Sequence, residues 1–356
     1  MTQPDYTTDH PVLVTGATGF VAGWLVKRLL EEGFVVHAAV RDPSNAAKTA
    51  HLTALAAELP GQLKLFGADL LTDGSYAEAM KGCRVVFHTA SPFTSKFKDA
   101  QRDLVDPAVT GTRNVLETAN GTESVERVVV TSSCAAIYGD TLDVAAAPGG
   151  VLTEDVWNTT SRLDHSPYAF SKVEAEKAAW DLARAQARWQ LVTVNPSLVI
   201  GPTVSGASTS ESHNLVKHFG DGILKAGAPP LEIGMVDVRD VAEAHMRAGF
   251  VTAAHGRYIT SADTVSFLRL GQMLRGHFGD RWPFPTRELP KWLLWLVGPL
   301  IDKTLTREFV SRNMGHRWRA DNAKARRELG IEFQPVSAAV IEMFQQLIDT
   351  GAVRPR

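Results

Sequence analysis

Val12-Leu-Val-Thr-Gly16-Ala-Thr-Gly19-Phe20-Val21-Ala22-Gly-Trp-Leu-Val-Lys-Arg-Leu-Leu30 is the stretch whose reading decides the fold. A short apolar run of this kind reads as a buried parallel strand, the glycines as a tight turn, and the Leu/Val spacing after them as a helix. Strand, glycine-rich turn and helix in that order make a phosphate-binding unit, because free backbone N–H groups at the helix N-terminus point at the phosphates. Gly16 and Gly19 permit the turn and a close approach, and Ala22 fills a third position where only a small residue fits against the strand. A glycine turn with no ligand is the alternative reading of the same residues.

Working outward, apolar runs at 12–14, 34–40, 63–66, 84–88, 126–132 and 190–194 alternate with helical patterns at about 20–32, 45–58, 75–81, 104–119 and 167–187. That alternation predicts an α/β chain built on a doubly wound parallel sheet. From about residue 202 the chain carries Gly, Pro and Ser loops, two Trp-rich stretches and a final amphipathic pattern near 336–350. The chain has 356 residues, 44% of them hydrophobic, and a formal charge of −2, so it can bury a sizeable core and has no bias toward nucleic acid.

Tyr168-Ala-Phe-Ser-Lys172 pairs a phenol and an ammonium four residues apart. On a helix these share a face, so Lys172 can favour the ionised form of Tyr168 and make it an acid or base near neutral pH. Thr131-Ser132-Ser133 follows the apolar run Arg127-Val-Val-Val130, which places hydroxyls at the carboxyl end of a strand, the edge where open α/β sheets bind ligands.

Together these motifs resemble the extended short-chain dehydrogenase/reductase family, and within it the dihydroflavonol reductase, cinnamoyl-CoA reductase and microbial aldehyde/ketone reductase group. The resembling stretches are Val14–Phe20, Ala39–Pro43, Gly67–Leu70, Val86–Pro92, Val130–Ser133, Tyr168–Lys172 and Asn195–Pro202, in the family's order and within roughly residues 12 to 260. The resemblance implies a Rossmann dinucleotide-binding domain over 1–200 with a returning segment near 235–262. Residues 201–356 then form mainly a smaller, partly interleaved substrate lobe.

The resemblance further implies catalysis by Ser133, Tyr168 and Lys172, with Ser132 as the alternative to Ser133. It implies cofactor contacts from Gly16, Gly19, Phe20, Val21, Arg41, Lys48, Asp69, Leu70, Thr89, Ala90, Ser91, Tyr168, Lys172, Pro196 and Val199. NAD-specific proteins place an acidic residue at the end of the second strand; here Val40 and Arg41 stand there, and Arg41 with Lys48 suits the 2′-phosphate of NADP(H). Asp42 is the complication, able to hold Arg41 in a surface pair or to repel phosphate.

Where flavonoid reductases have an asparagine after the catalytic serine, this chain has Tyr138, which argues against a plant-type dihydroflavonol. Thr110 fills a position that is asparagine in nucleotide-sugar epimerases. His10, His88, His165, His213 and His245 are scattered, so no metal site is expected, and His213 in the substrate lobe is the least easily dismissed. Cys83 and Cys134 imply no disulfide framework.

The start, Met1 to His10, lacks an apolar signal region, which points to a cytoplasmic enzyme. Trp292–Ile301 is too short for the ~20 apolar residues of a membrane span and reads as a core helix or a cover over a substrate pocket. Trp282, Phe284, Trp292 and Trp295 suit either a pocket for a bulky carbonyl compound or a lobe core.

The expected activity is NADPH-dependent reduction of bulky or aromatic aldehydes and ketones, with a small-molecule carbonyl or alcohol as the partner. A homodimer through the helices at 104–119 and 167–187 is a further expectation, although their apolar faces can equally serve the core of one chain. The rival readings are an NAD-dependent nucleotide-sugar epimerase or dehydratase of the same fold, and a non-enzymatic NADP-sensing protein.

Overall fold

The computed structural model describes residues 6–91, 97–206 and 210–355, and among these described residues there are ten strands. Seven form the main sheet: β1 (Val12–Thr15), β2 (Val35–Val40), β3 (Gln62–Gly67), β4 (Val85–His88), β5 (Arg127–Thr131), β6 (Gln190–Pro196) and β9 (Gly256–Thr260). Their order is β3-β2-β1-β4-β5-β6-β9, and every neighbouring pair is parallel. The remaining three, β7 (Leu198–Ile200), β8 (Glu232–Asp237) and β10 (Asp263–Ser266), make a small sheet in which β8 runs parallel to β7 and antiparallel to β10.

Inside its edge strand β3, the main sheet is buried on both faces because its strands are largely apolar on both. In β1, Val12 and Val14 join one core with Leu25, Leu29 and Ala248, whereas Leu13 joins another with Val115, Leu116 and Ala179. A period of two thus assigns alternate residues to opposite helical layers. Phe20–Glu31, Ala46–Glu58 and Val238–Phe250 cover one face; Asp106–Gly121 and Pro167–Arg184 cover the other. Chain order reverses between β1 and β4, which opens a crevice beyond their carboxyl ends.

The doubly wound sheet is as the alternation predicts. After residue 197 the final amphipathic pattern is the helix Val336–Asp349, but the strands are left unresolved by periodicity: β7, β8 and β10 are too short for a sustained pattern, and β9 carries the buried Arg257.

A separate aromatic core gathers Phe219, Phe267, Trp282, Phe284 and Phe344 under helices Glu211–Asp221, Phe267–Phe278 and Val336–Asp349. Trp282 meets Phe344 edge-on at 5.0 Å between ring centroids, and Phe284 meets it at 5.3 Å. Trp282 and Phe284 are therefore core residues. Of the two readings of Trp292–Ile301, a core helix or a cover over a substrate pocket, the first does not hold for helix Lys291–Ile301: only Leu294 and Gly298 are buried, while Trp292 is 67% and Leu300 87% exposed. Its inner face rests on Val310 and Met314, which leaves the outer apolar face open. Among the described residues no helix is long and apolar enough to cross a membrane.

Candidate active site

The crest of the crevice is made by β1 and β4 passing at close range. Gly16 has φ +62°, and a Cβ there would lie 3.0 Å from both Cα and Cβ of Ala90, so only glycine fits. The Gly19 N–H donates to the Gly16 carbonyl at 2.8 Å and closes the turn. Gly19 then begins helix Phe20–Glu31 with no side-chain cap, which leaves the N–H groups of its first turn, Phe20 and Val21 included, for an anionic guest. Across the crest, Thr15 Oγ1 accepts from the Ala90 N–H at 3.1 Å and shares a hydrogen bond with His88 Nδ1 at 3.0 Å, while Thr89 Oγ1 donates to the Thr15 carbonyl. Burial, reinforced by the charge of Lys172, pushes His88 down to about 3, so its ring is neutral.

Beyond β2, Arg41 is exposed, and so is Lys48 in the first turn of helix Ala46–Glu58. Asp42 does not hold Arg41: its Oδ1 accepts from the Ser44 hydroxyl at 2.6 Å and the Ser44 N–H at 2.9 Å, and these bonds pull its carboxyl below the ordinary value. After β3, Asp69 Oδ1 accepts from the Leu71 N–H at 2.8 Å, and the Leu70 carbonyl accepts from Asn114 Nδ2 at 3.0 Å. Gly111 lets Leu70 lie against helix Asp106–Gly121, since a Cβ there would come within 3.2 Å of the leucine side chain.

Tyr168 and Lys172 occupy the first two turns of helix Pro167–Arg184, with the Lys172 Nζ 5.6 Å from the Tyr168 ring centroid. Lys172 Nζ donates to Ser91 Oγ at 2.8 Å, which ties this helix to the exit of β4. Burial lowers the Lys172 ammonium to about 8. The Tyr168 residue remains 40% exposed, yet the protein atoms crowded around its phenol push it up to about 12. Burial thus moves this phenol up, opposite to the lowering expected from Lys172, and Tyr168 is protonated at neutral pH.

The two serines after β5 are plainly different. Ser132 is buried and its hydroxyl donates to Glu176 Oε2. Ser133 is the residue before a short turn of helix, and its Oγ accepts from the Ala135 N–H at 3.1 Å, so its proton remains available to a further acceptor. Pro196 ends β6 in register with Thr260 of β9, and Val199 lies in β7, so these two stand where the main sheet hands over to the small one. Phe20 reaches the same boundary, edge-on to His213 at 4.9 Å.

Of the histidines singled out in the sequence, His10 is exposed, His88, His165 and His245 are engaged locally, and His213 is engaged through one ring nitrogen, its buried Nε2 having no partner among the described residues. His165 Nε2 bonds Asp140 Oδ2 at 2.7 Å, His245 lies between the Val241 carbonyl and Thr131 Oγ1, and His213 Nδ1 bonds Ser210 Oγ at 2.7 Å. Among the described residues no cluster of His, Cys, Asp and Glu could hold a metal ion. Both cysteines are buried and free, and burial pushes the Cys83 thiol up to about 12.

Sequence reading misses Glu176 and Arg257, a buried pair joined at 2.7 Å between Arg257 Nε and Glu176 Oε1. One signal was there to find: Glu176 lies eight residues after Tyr168 and four after Lys172, on the same helix face.

Residues 12–254 match the NAD dependent epimerase/dehydratase family. Tetraketide alpha-pyrone reductase 1 of Arabidopsis thaliana is 37% identical over 283 residues, which is 78% of this chain and 83% of that protein. Cinnamoyl-CoA reductase 1 of Petunia hybrida is 35% identical over 345 residues, 96% of this chain and 92% of that one. The crystal structure of the yeast methylglyoxal/isovaleraldehyde reductase Gre2 complexed with NADPH superposes with a TM-score of 0.74 at 26% identity, covering 96% of this chain and 99% of that one.

Proposed function

From the fact that the chain belongs to the NAD dependent epimerase/dehydratase family, the extended short-chain dehydrogenase/reductases, we propose that this reductase converts bulky or aromatic aldehydes and ketones to alcohols with NADPH. The observation that carries the proposal is the Tyr168–Lys172 pair beside the glycine-rich crest, with Lys172 tied to Ser91 at 2.8 Å. The crest fits a dinucleotide: its closest approach tolerates no Cβ, its helix N-terminus is uncapped, and Arg41 is left free by Asp42 to meet a 2′-phosphate. Gly16, Gly19, Phe20 and Val21 would hold the pyrophosphate, Arg41 and Lys48 the 2′-phosphate, Asp69 and Leu70 the adenine. Thr89, Ala90, Ser91, Pro196 and Val199 would flank the nicotinamide end, with Tyr168 and Lys172 at its ribose. Bound NADPH supplies the hydride.

The protein's own part is positioning and proton delivery. Ser133 donates its free proton to the carbonyl oxygen and polarises it. Tyr168, protonated at neutral pH, gives that oxygen the proton as negative charge develops there. Lys172, an ammonium below about pH 8, stabilises the phenolate left behind. For a bulky acceptor, support comes from relatives named for cinnamoyl-CoA and a tetraketide pyrone. The setting proposed is cytoplasmic, and a homodimer through helices Asp106–Gly121 and Pro167–Arg184 is testable by sedimentation velocity.

The test is nucleotide oxidation by purified protein against a panel of aromatic and aliphatic aldehydes and ketones. Turnover with NADPH in preference to NADH is expected, strongest for aromatic members. Silence across the panel, with NAD retained through gel filtration, would instead favour the epimerase reading.

A further inference from the structure

Glu176 is 1% exposed and accepts six hydrogen bonds from five residues. Its Oε1 receives Arg257 Nε at 2.7 Å, Trp180 Nε1 at 3.1 Å and Thr193 Oγ1 at 3.4 Å. Its Oε2 receives Asn195 Nδ2 at 2.8 Å, Arg257 Nη2 at 3.4 Å and the Ser132 hydroxyl. Those donors belong to different elements. Ser132 and Asn195 stand at the exits of β5 and β6, and Arg257 in β9; Asn195 Nδ2 also reaches the Ser133 carbonyl at 3.3 Å, and Arg257 Nη2 the Ala136 carbonyl at 3.3 Å. Arg257 Nη1 adds the Glu154 and Val156 carbonyls at 2.9 and 2.6 Å.

One carboxylate on the helix of Tyr168 and Lys172 thus bonds directly to the strand exit that carries Ser133. A buried ion pair is weak evidence for stability, since apolar residues of similar volume fill such a site as well. Its directional bonds do what apolar packing cannot: they set the offset between helix and strand to a fraction of an ångström. A carbonyl oxygen shared by the Ser133 and Tyr168 hydroxyls requires that tolerance, because both must reach it at hydrogen-bond distance.

We propose that Glu176 is a positioning residue of the reduction, holding the phenol of Tyr168 and the hydroxyl of Ser133 at a fixed separation through Ser132, Asn195 and Arg257. The inference rests on the reductase reading above. Asn195 and Arg257 are then parts of the same brace.

Two variants test it. Ser132→Ala removes one donor beside Ser133 without stranding a charge. The double variant Glu176→Leu/Arg257→Met replaces the whole pair by apolar side chains, avoiding the unpaired arginine that Glu176→Gln alone would leave. Wild type is assayed first with NADPH and a carbonyl substrate. Each folded variant is expected to lose about ten-fold or more in kcat. KM for NADPH should stay within about two-fold, because the crest is untouched. The pH profile should keep its shape, since the groups that titrate are the same. A folded variant of either kind with kcat within about two-fold of wild type overturns the inference, as does a loss confined to KM. If the double variant does not fold, Ser132→Ala decides by itself. If wild type turns over no carbonyl compound, the reductase reading fails first and this inference falls with it, a result visible before any variant is made.

Discussion

The two sheets of this chain are held together by different physics. At the carboxyl edge of the seven-stranded sheet, polar atoms far apart in sequence are bonded to one another: Thr15 to His88, Lys172 to Ser91, and Ser132, Asn195 and Arg257 to Glu176. Around the three-stranded sheet the core is aromatic, with Trp282, Phe284 and Phe344 packed on one another, and helix Lys291–Ile301 turns an apolar face outward. Hydrogen bonds have sharp distance and angle limits, whereas apolar packing tolerates substitution if volume is kept. The first region is therefore suited to hold atoms at fixed separations, and the second to tolerate changes of side chain that keep its volume.

Trp282→Ala should have the largest effect on the second region, lowering unfolding free energy by about 3–5 kcal/mol through the cavity it leaves. Denaturant unfolding measures that loss, and a change well under a third of it would show that the aromatic core is not what supports this lobe. On the first region, Arg41→Ala is expected to weaken NADPH binding about ten-fold while leaving NADH binding nearly unchanged. Equal weakening of both nucleotides would break the assignment of Arg41 to the 2′-phosphate.

The depressed Lys172 adds a pH signature. Below about pH 8 its ammonium is intact and kcat/KM for reduction should be flat; above that value activity should fall, long before Tyr168 titrates near 12. Lys172→Arg should remove this limb, because guanidinium stays charged. Stability has the opposite sign: between about 8 and the ordinary lysine value the unfolded chain binds more protons, so unfolding free energy from this group rises with pH. Smallest of all, Trp292→Ser on the outward face should change unfolding free energy by no more than about 0.5 kcal/mol and leave kcat unaltered. A clear fall in kcat would mean that this face takes part in the substrate site.

Much of the first region was legible in the sequence because its signals are local. The turn after β1 shows in Gly16 and Gly19, the alternation of strand and helix in runs of Val and Leu, and the Tyr168–Lys172 pair in a spacing of four. The resemblance names Ser133 ahead of Ser132; what was not legible is that the Ser132 hydroxyl is taken up by Glu176, forty-four residues away in sequence. Asp42 was read as a rival for Arg41 because the two are adjacent; the turn at Ser44 takes it away. Nothing in the sequence around Arg257 marks it as the partner of Glu176, eighty-one residues away. In the second region, the apolar run at 292–301 has the composition of a core helix, and only the packing of its neighbours reveals that most of it faces outward.

The most direct test of the account is to measure NADPH binding and steady-state carbonyl reduction for wild type and Tyr168→Phe side by side. Loss of about 10²–10⁴-fold in kcat with the NADPH dissociation constant changed by no more than about three-fold is the predicted result, because the variant keeps the crest and Lys172 and gives up at most one ribose hydrogen bond, but has no proton to give. Turnover by Tyr168→Phe within a few-fold of wild type would contradict the account and move the proton donor to another group.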